Sequence, residues 1–197
     1  KNKLVAHYKL PLIEYNELRN ALVHKSTEEA IAEPHPEVIT KMKQVYQLLT
    51  DPPLAKEIAS SPVYTATTQT PVLKVIKAMN QNFYTSIPVY HDQTFVGVFS
   101  DNSITQWLAT TKDSIDLQGT VLSQLQAFFN QADDKFNSYQ FLPESIDVFT
   151  VKKAFTAFTE EKKRLGAVFL TKNGRRDEEI LGIITAWDLP KVREKNE

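Results

Sequence analysis

The segment Ile180-Leu181-Gly182-Ile183-Ile184-Thr185 decides the fold, because Phe95-Val96-Gly97-Val98-Phe99-Ser100 shows the same pattern earlier in the chain. The chain of 197 residues contains only 5 glycines, and Gly97 and Gly182 occupy the same place in these two segments. Such self-similarity predicts a duplicated structural unit, which changes the interpretation of the whole sequence.

Two further pairs of segments support the duplication. Residues 87–90 align with 166–169, and residues 72–79 align with 148–155. The spacing between the copies changes only between elements, where an insertion costs little. Insertions confined to connections are typical of a structural repeat.

Each copy carries the same order of signals, β-α-β-β-α. A short strand rich in β-branched and aromatic residues comes first, and a helix with apolar residues at spacings of three and four follows. Two strands then form a hairpin, and a second helix opens after Ser100 or Thr185. In the first copy the strand covers residues 63–66, the helix face 72–79 and the hairpin 87–91 with 95–100. In the second copy the strand covers 139–142, the helix face 148–155 and the hairpin 167–171 with 180–185.

The composition excludes several classes of protein. With 23 basic and 24 acidic residues the net charge is −1, which does not fit a broad nucleic-acid-binding face. The absence of cysteine excludes disulfides, thiolate zinc sites and a cysteine nucleophile, and the 4 histidines follow no metal-ligand spacing. No apolar run approaches the roughly 20 residues of a membrane-spanning helix. We expect a cytoplasmic protein without a membrane or direct nucleic-acid partner.

The repeated unit, with I-P-V-Y-H-D-Q-T-F-V-G-V-F-S in the first copy and L-G-I-I-T-A-W-D-L in the second, resembles the cystathionine-β-synthase-type (CBS) domain pair, or Bateman module. The resemblance covers about residues 54–192 and implies an α+β fold of tandem CBS repeats. We expect a helical segment at 1–53, a first CBS domain at 54–118 and a second at 119–197.

Thr185 and Asp188 stand three positions apart at a strand-to-helix turn. This spacing fits a helix cap, in which the acidic side chain reaches back to the unpaired N–H groups. The same groups also suit a phosphate and ribose hydroxyls. The resemblance implies that Thr185 contacts phosphate and Asp188 contacts ribose. Ser100 and Ser103 are the matching pair in the first copy, where serine replaces the usual Asp, so we expect the second copy to bind better.

The resemblance also implies cleft residues around the first strand and before the hairpin of each copy. Apolar strand residues are more often simply core, and a basic run at a helix end is more often solvated. Arg164 is a candidate phosphate contact, and Trp187 either stacks on a base or fills an interface. The other matching positions are Tyr64, Thr65 and Ile87 in one copy, and Gln140, Phe141 and Ala167 in the other.

The first fifty residues predict two amphipathic helices, over residues 12–24 and 36–49, ended by Asp51-Pro52-Pro53. Within the first, Arg19-Asn20-Ala21-Leu22-Val23-His24 resembles the R-N-x-x-x-H motif of HEPN domains, some of which are ribonucleases. There Arg19 would stabilise phosphate charge and His24 would transfer protons. Because a HEPN bundle has four helices, we expect a structural remnant cut from a larger protein.

These observations favour a non-catalytic regulatory module that binds an adenine nucleotide (ATP, ADP, AMP or cyclic di-AMP) as a regulatory ligand and requires no cofactor. A single CBS pair usually completes its burial by pairing with another, so we expect a homodimer. Two alternatives remain open. The chain is the regulatory half of a HEPN-type ribonuclease, or it is a structural dimerisation module with degenerate clefts.

Overall fold

The computed structural model describes residues 5–6, 8–22, 33–111, 115–130 and 138–191. The chain divides into two compact units, of which one comprises Lys1–Pro53 with Arg193–Glu197 and the other Leu54–Val192. Among the described residues no helix is both long and apolar enough to cross a membrane.

The first unit contains two helices, α1 at Lys9–Leu22 and α2 at Pro36–Thr50. Pro36 opens α2 because a proline in the first turn sacrifices no helical hydrogen bond, and the His35 side chain accepts from the Glu37 N–H. Both predicted helices are confirmed. His24, the second residue of the HEPN-like motif, lies outside the described residues.

The first repeat has the predicted β-α-β-β-α order. The elements are β1 at Ala66–Thr67, α3 at Val72–Asn82, β2 at Ser86–His91, β3 at Thr94–Ser100 and α4 at Asp101–Thr110. Strand β2 pairs in parallel with β1 and antiparallel with β3, which gives a sheet of order β1-β2-β3. The helix α3 buries Val72, Val75 and Met79, which is the apolar face that the sequence spacing predicts.

The second repeat consists of β4 at Ser138–Pro143, α5 at Val148–Glu160, β5 at Leu165–Thr171, β6 at Gly182–Ile184 and a 3-10 helix at Ala186–Lys191. Its sheet has the same order, β4-β5-β6, again with one parallel and one antiparallel pair. The helix α5 buries Val148, Val151 and Phe155. Together the two sheets and their helices form the mixed α+β fold that the sequence predicts.

Two elements differ from the sequence prediction. β1 pairs only at Ala66–Thr67, not over 63–66, and in its register Thr65 would lie opposite Pro88, which has no N–H to donate. The last element, Ala186–Lys191, is a 3-10 helix rather than an α-helix. Pro190 lies inside it and has no backbone N–H to donate to an α-helical hydrogen bond.

The cores of the two repeats exchange short segments. Leu122, Leu125 and Phe129 precede the second repeat but fill the core of the first, whereas Ala55 and Ile58 precede the first repeat and fill the core of the second. The residues that build each core therefore cross the sequence boundary between 118 and 119.

Gly97 and Gly182, the two glycines at the same place in the two copies, lie where these exchanged segments pack. A Cβ on Gly97 would lie 3.0 Å from Phe129 Cβ, and a Cβ on Gly182 would lie 3.0 Å from Ala59 Cβ. One residue beyond Gly182, Ile183 exchanges backbone hydrogen bonds with Ser60 (2.9 and 3.1 Å). Glycine recurs at this place in both copies because a neighbouring segment approaches the strand closely.

A third cluster joins the two repeats through aromatic side chains. The Phe95 ring lies 5.2 Å from Phe141 and 5.5 Å from Tyr139 between centroids, in edge-to-face geometry. Arg176 lies 5.0 Å above the same ring. These contacts fix the first repeat against the second.

Candidate functional site

A cleft of about 1140 Å³ opens beside the turn that follows β6. Its walls come from residues 59–64, from α3, from residues 83–86 leading from α3 into β2, from the start of α4 and from residues 183–191. We call it the Thr185 cleft. Among the residues predicted to bind a ligand, Tyr64, Thr185 and Asp188 line it together.

Thr185 and Asp188 form a closed hydrogen-bonded pair. The Thr185 N–H and hydroxyl donate to Asp188 Oδ2 at 2.7 and 2.9 Å, and the Asp188 N–H donates to the Thr185 carbonyl at 3.0 Å. The other carboxylate oxygen, Oδ1, lies 2.5 Å from Lys191 Nζ. Asp188 is only 6% exposed, so these partners offset the cost of burying its charge. The acidic side chain therefore reaches back to the Thr185 N–H, as the spacing predicts, while the Thr185 hydroxyl donates to that carboxylate instead of accepting from the helix.

Exposed aromatic side chains border the same cleft. Phe83 is 90% exposed and Trp187 is 80% exposed. Tyr84 stacks on Tyr64 with centroids 5.8 Å apart and an interplanar angle of 24°. Phe83 also has φ 58°, a left-handed conformation that is costly for a bulky side chain. Large apolar rings left in water beside a cavity offer stacking surfaces to a flat ligand.

The matching pair in the first copy is sealed. Ser100 and Ser103 are both 0% exposed. Their hydroxyls lie 2.5 and 3.3 Å from Asn130 Oδ1, and the Ser100 N–H donates to Ser103 Oγ at 3.0 Å. These two side chains therefore serve the cap of α4 and do not reach the Thr185 cleft.

The remaining predicted residues lie elsewhere. Ile87 and Ala167 are buried in the cores, which is the usual place of apolar strand residues. Gln140 and Phe141 lie on β4, where Phe141 packs in the aromatic cluster. Thr65 lines a smaller cavity of about 490 Å³ with Tyr90 and Glu179. None of these five lines the Thr185 cleft.

Arg164 bridges the two repeats. Its guanidinium lies 3.6 Å from Asp101 Oδ2, and its carbonyl accepts from the Ser138 N–H at 2.8 Å. Asp101 lines the Thr185 cleft but Arg164 does not. The nearest part of the cleft therefore carries a carboxylate that is already paired.

Among the cleft-lining residues that the sequence analysis did not predict are Phe83, Tyr84, Asp101 and Lys191. The sequence held a signal for Phe83 and Tyr84. The alignment of 87–90 with 166–169 also pairs Phe83-Tyr84-Thr85 with Lys162-Lys163-Arg164, and Arg164 was already predicted to lie at a cleft. Lys191 follows the signature by two residues and had no signal of its own. Within the described ranges, no three His, Cys, Asp or Glu side chains are grouped as a metal site.

Comparisons with known proteins agree with this architecture. Residues 55–110 match the family model of the CBS domain. The CBS domain pair of protein MJ0100, in complex with 5′-methylthioadenosine and S-adenosyl-L-methionine, superposes with a TM-score of 0.53 at 17% identity, over 74% of this chain and 99% of that one. No curated protein matches the chain.

Two other solved structures share the fold. The CBS domain of a bacterial CNNM/CorC family Mg²⁺ transporter gives a TM-score of 0.52 at 13% identity and covers 96% of both chains. The CBS domain protein TA0289 from Thermoplasma acidophilum gives 0.50 at 20% identity, over 71% of this chain and 68% of that one.

The comparisons do not support the HEPN-like interpretation of the N-terminal segment. Arg19 lies in α1, where its guanidinium donates to Asn20 Oδ1 at 3.1 Å. Residues 55–110 match the CBS domain, and the chain has the fold of a CBS domain pair.

Proposed function

We propose that the Thr185 cleft binds an adenine nucleotide or a related adenosine derivative, and that the chain is a regulatory module rather than a catalyst. One observation carries the proposal. The Thr185–Asp188 pair and the exposed rings of Phe83 and Trp187 border the same cleft of about 1140 Å³. Hydrogen-bond acceptors and stacking surfaces are what a nucleoside needs.

The acceptors suit a ribose. The carboxylate of Asp188 has lone pairs beyond those used by Thr185 and Lys191, and the Thr185 oxygen accepts once its proton is donated. Ribose hydroxyls are donors, so they complement both atoms. The exposed Trp187 and Phe83 provide faces against which an adenine ring can stack.

The structural comparison supports the ligand class. The similar CBS domain pair of MJ0100 was solved with two adenosine derivatives, 5′-methylthioadenosine and S-adenosyl-L-methionine. We extend the class to this chain, with AMP, ADP, ATP and cyclic di-AMP as further candidates. A homodimer through the CBS pairs and a cytoplasmic location belong to the same proposal.

Regulation follows if the ligand binds one arrangement of the module better than another. Residues 55–58 and 122–129 join each repeat to the core of the other. A ligand that moves one repeat therefore also shifts packing contacts in the second repeat. This coupling gives the cleft a route to a downstream partner.

Isothermal titration calorimetry with adenosine derivatives tests the proposal. We expect saturable binding that Trp187→Ala weakens, since this exposed ring lines the cleft without supporting a core. Leu108→Ala is the matched control, because Leu108 is exposed on α4 and does not line the cleft. Binding by no member of the panel, or equal loss in both variants, contradicts the proposal.

A further inference from the structure

The described walls of the Thr185 cleft carry almost no free positive charge. Among the described residues that line it, only Asp101, Asp188 and Lys191 are charged. Lys191 forms an ion pair with Asp188, and Asp101 forms one with Arg164, which does not line the cleft. Every charge on the wall is therefore already matched, and the lining itself holds two carboxylates against one ammonium group.

Thr185 has two donors, the N–H and the hydroxyl, and both are directed at Asp188 Oδ2. The helix that follows is a 3-10 helix of 6 residues and contains Pro190. Phosphate recognition needs several unpaired N–H or cationic donors, and Thr185 contributes none of them.

The equivalent loop of the second repeat shows that the fold accepts cations at this place. Phe83 and Lys162 both have left-handed φ, 58° and 57°, and each follows the long helix of its repeat. The first loop reads Phe83-Tyr84-Thr85, whereas the second reads Lys162-Lys163-Arg164. The loop that faces the Thr185 cleft is therefore aromatic and uncharged where a basic sequence is structurally possible.

We infer that the Thr185 cleft selects an adenosine derivative whose 5′ substituent carries no phosphate. This inference rests on the proposed function and narrows its ligand class. Each phosphate would bring negative charge to a wall whose cations are already paired, and an uncompensated charge at a partly buried site is costly. A neutral 5′ group avoids that cost, and a cationic one gains from the aromatic rims of Phe83 and Trp187.

Calorimetry with adenosine, AMP, ADP and ATP, each with and without Mg²⁺, tests the inference. We expect adenosine to bind tightest, and ATP to bind about tenfold or more weakly. Raising the salt concentration should leave adenosine affinity unchanged, since no ion pair forms. Equal or tighter binding of ATP overturns the inference while leaving the proposed function intact. Binding by none of the four, and by none of 5′-methylthioadenosine, S-adenosyl-L-methionine and cyclic di-AMP, overturns the proposed function itself.

A loop exchange sharpens the test. The variant Phe83→Lys with Thr85→Arg copies the charges of Lys162 and Arg164 into the Thr185 cleft. We expect the ratio of ATP affinity to adenosine affinity to rise about tenfold or more, because two cations now face the ligand. Leu108→Lys, which adds charge away from the cleft, should leave the ratio unchanged. An unchanged ratio in the loop variant overturns the inference.

Discussion

The Thr185 hydroxyl donates its proton to Asp188 Oδ2, 2.9 Å away, and the Thr185 N–H donates to the same oxygen at 2.7 Å. The two residues act as a unit whose free surface accepts hydrogen bonds. Because the pair uses its donors internally and leaves acceptor lone pairs to the cleft, this arrangement is compatible with the proposed contact to a ribose.

Replacing Thr185 separates these two roles. In Thr185→Val the backbone N–H still donates to Asp188, so we expect the turn to persist, while adenosine affinity falls about tenfold through the lost hydroxyl. Thr185→Ser keeps the hydroxyl and should bind nearly as the native chain does. Calorimetry measures both. Native affinity in the valine variant would show that the hydroxyl has no part in binding.

The exchange of segments between the repeats is testable at Gly182 and Ala59. Gly182→Ala places a Cβ 3.0 Å from Ala59 Cβ, and we expect the free energy of unfolding to fall by about 1 kcal/mol or more from the forced shift. Adding Ala59→Gly removes the obstacle and should recover part of that loss. A double-mutant cycle by chemical denaturation measures the coupling, and strictly additive effects would contradict the packing.

Gly174 anchors the loop between β5 and β6. Its φ is +79°, and an added Cβ would lie 2.8 and 2.9 Å from the Cδ and N atoms of Pro143. We expect Gly174→Ala to destabilise the fold by about 1 to 3 kcal/mol, since both strain and a backbone contact oppose it. Gly119→Ala is the control, because its obstacle is the carboxylate end of the Asp116 side chain and not a backbone atom, and Gly119 lacks the positive φ of Gly174. Thermal unfolding should show the larger loss for Gly174→Ala, and the opposite order would contradict this account.

The same loop predicts a pH effect at Glu178. Hydrogen bonds from the Asn173 side chain (2.6 Å) and N–H (2.7 Å) lower the pKa of Glu178 from 4.5 to about 2. Because the folded pKa lies below the unfolded one, this contribution to stability is complete above pH 4.5 and disappears as the pH falls through 2. Carboxyl NMR shifts should show Glu178 still ionised at pH 3. In Asn173→Ala the midpoint should move toward 4.5, and a native midpoint already near 4.5 would contradict the prediction.

The repeat, the first helix of each copy, α4 and the hairpins were predictable because they depend on local periodicity and on two glycines in register. The shortness of β1 was not, because it depends on Pro88 of β2, which meets β1 only through the strand register. The exchange of 55–58 and 122–129 could not be predicted either, since these segments are short and their partners lie far away in the chain.

The candidate site divides in the same way. Thr185 and Asp188 belong to one local motif and were found together. The sealing of Ser100 and Ser103 depends on Asn130, which lies 27 positions beyond Ser103 and carries no recognisable signal. Ile87 and Ala167 are apolar strand residues, a type that fits either a core or a cleft wall. Only tertiary packing assigns them to the core.

The fluorescence of Trp187 reports whether an adenosine derivative occupies the Thr185 cleft. The chain has 2 tryptophans, and Trp107 is 8% exposed whereas Trp187 is 80% exposed at the cleft. In a Trp107→Phe variant the remaining emission reports on the Thr185 cleft alone. We predict a saturable change in Trp187 emission on titration with adenosine, with the affinity that calorimetry gives. Binding detected by calorimetry without any change in Trp187 emission, or no binding at all, would contradict the assignment of this cleft.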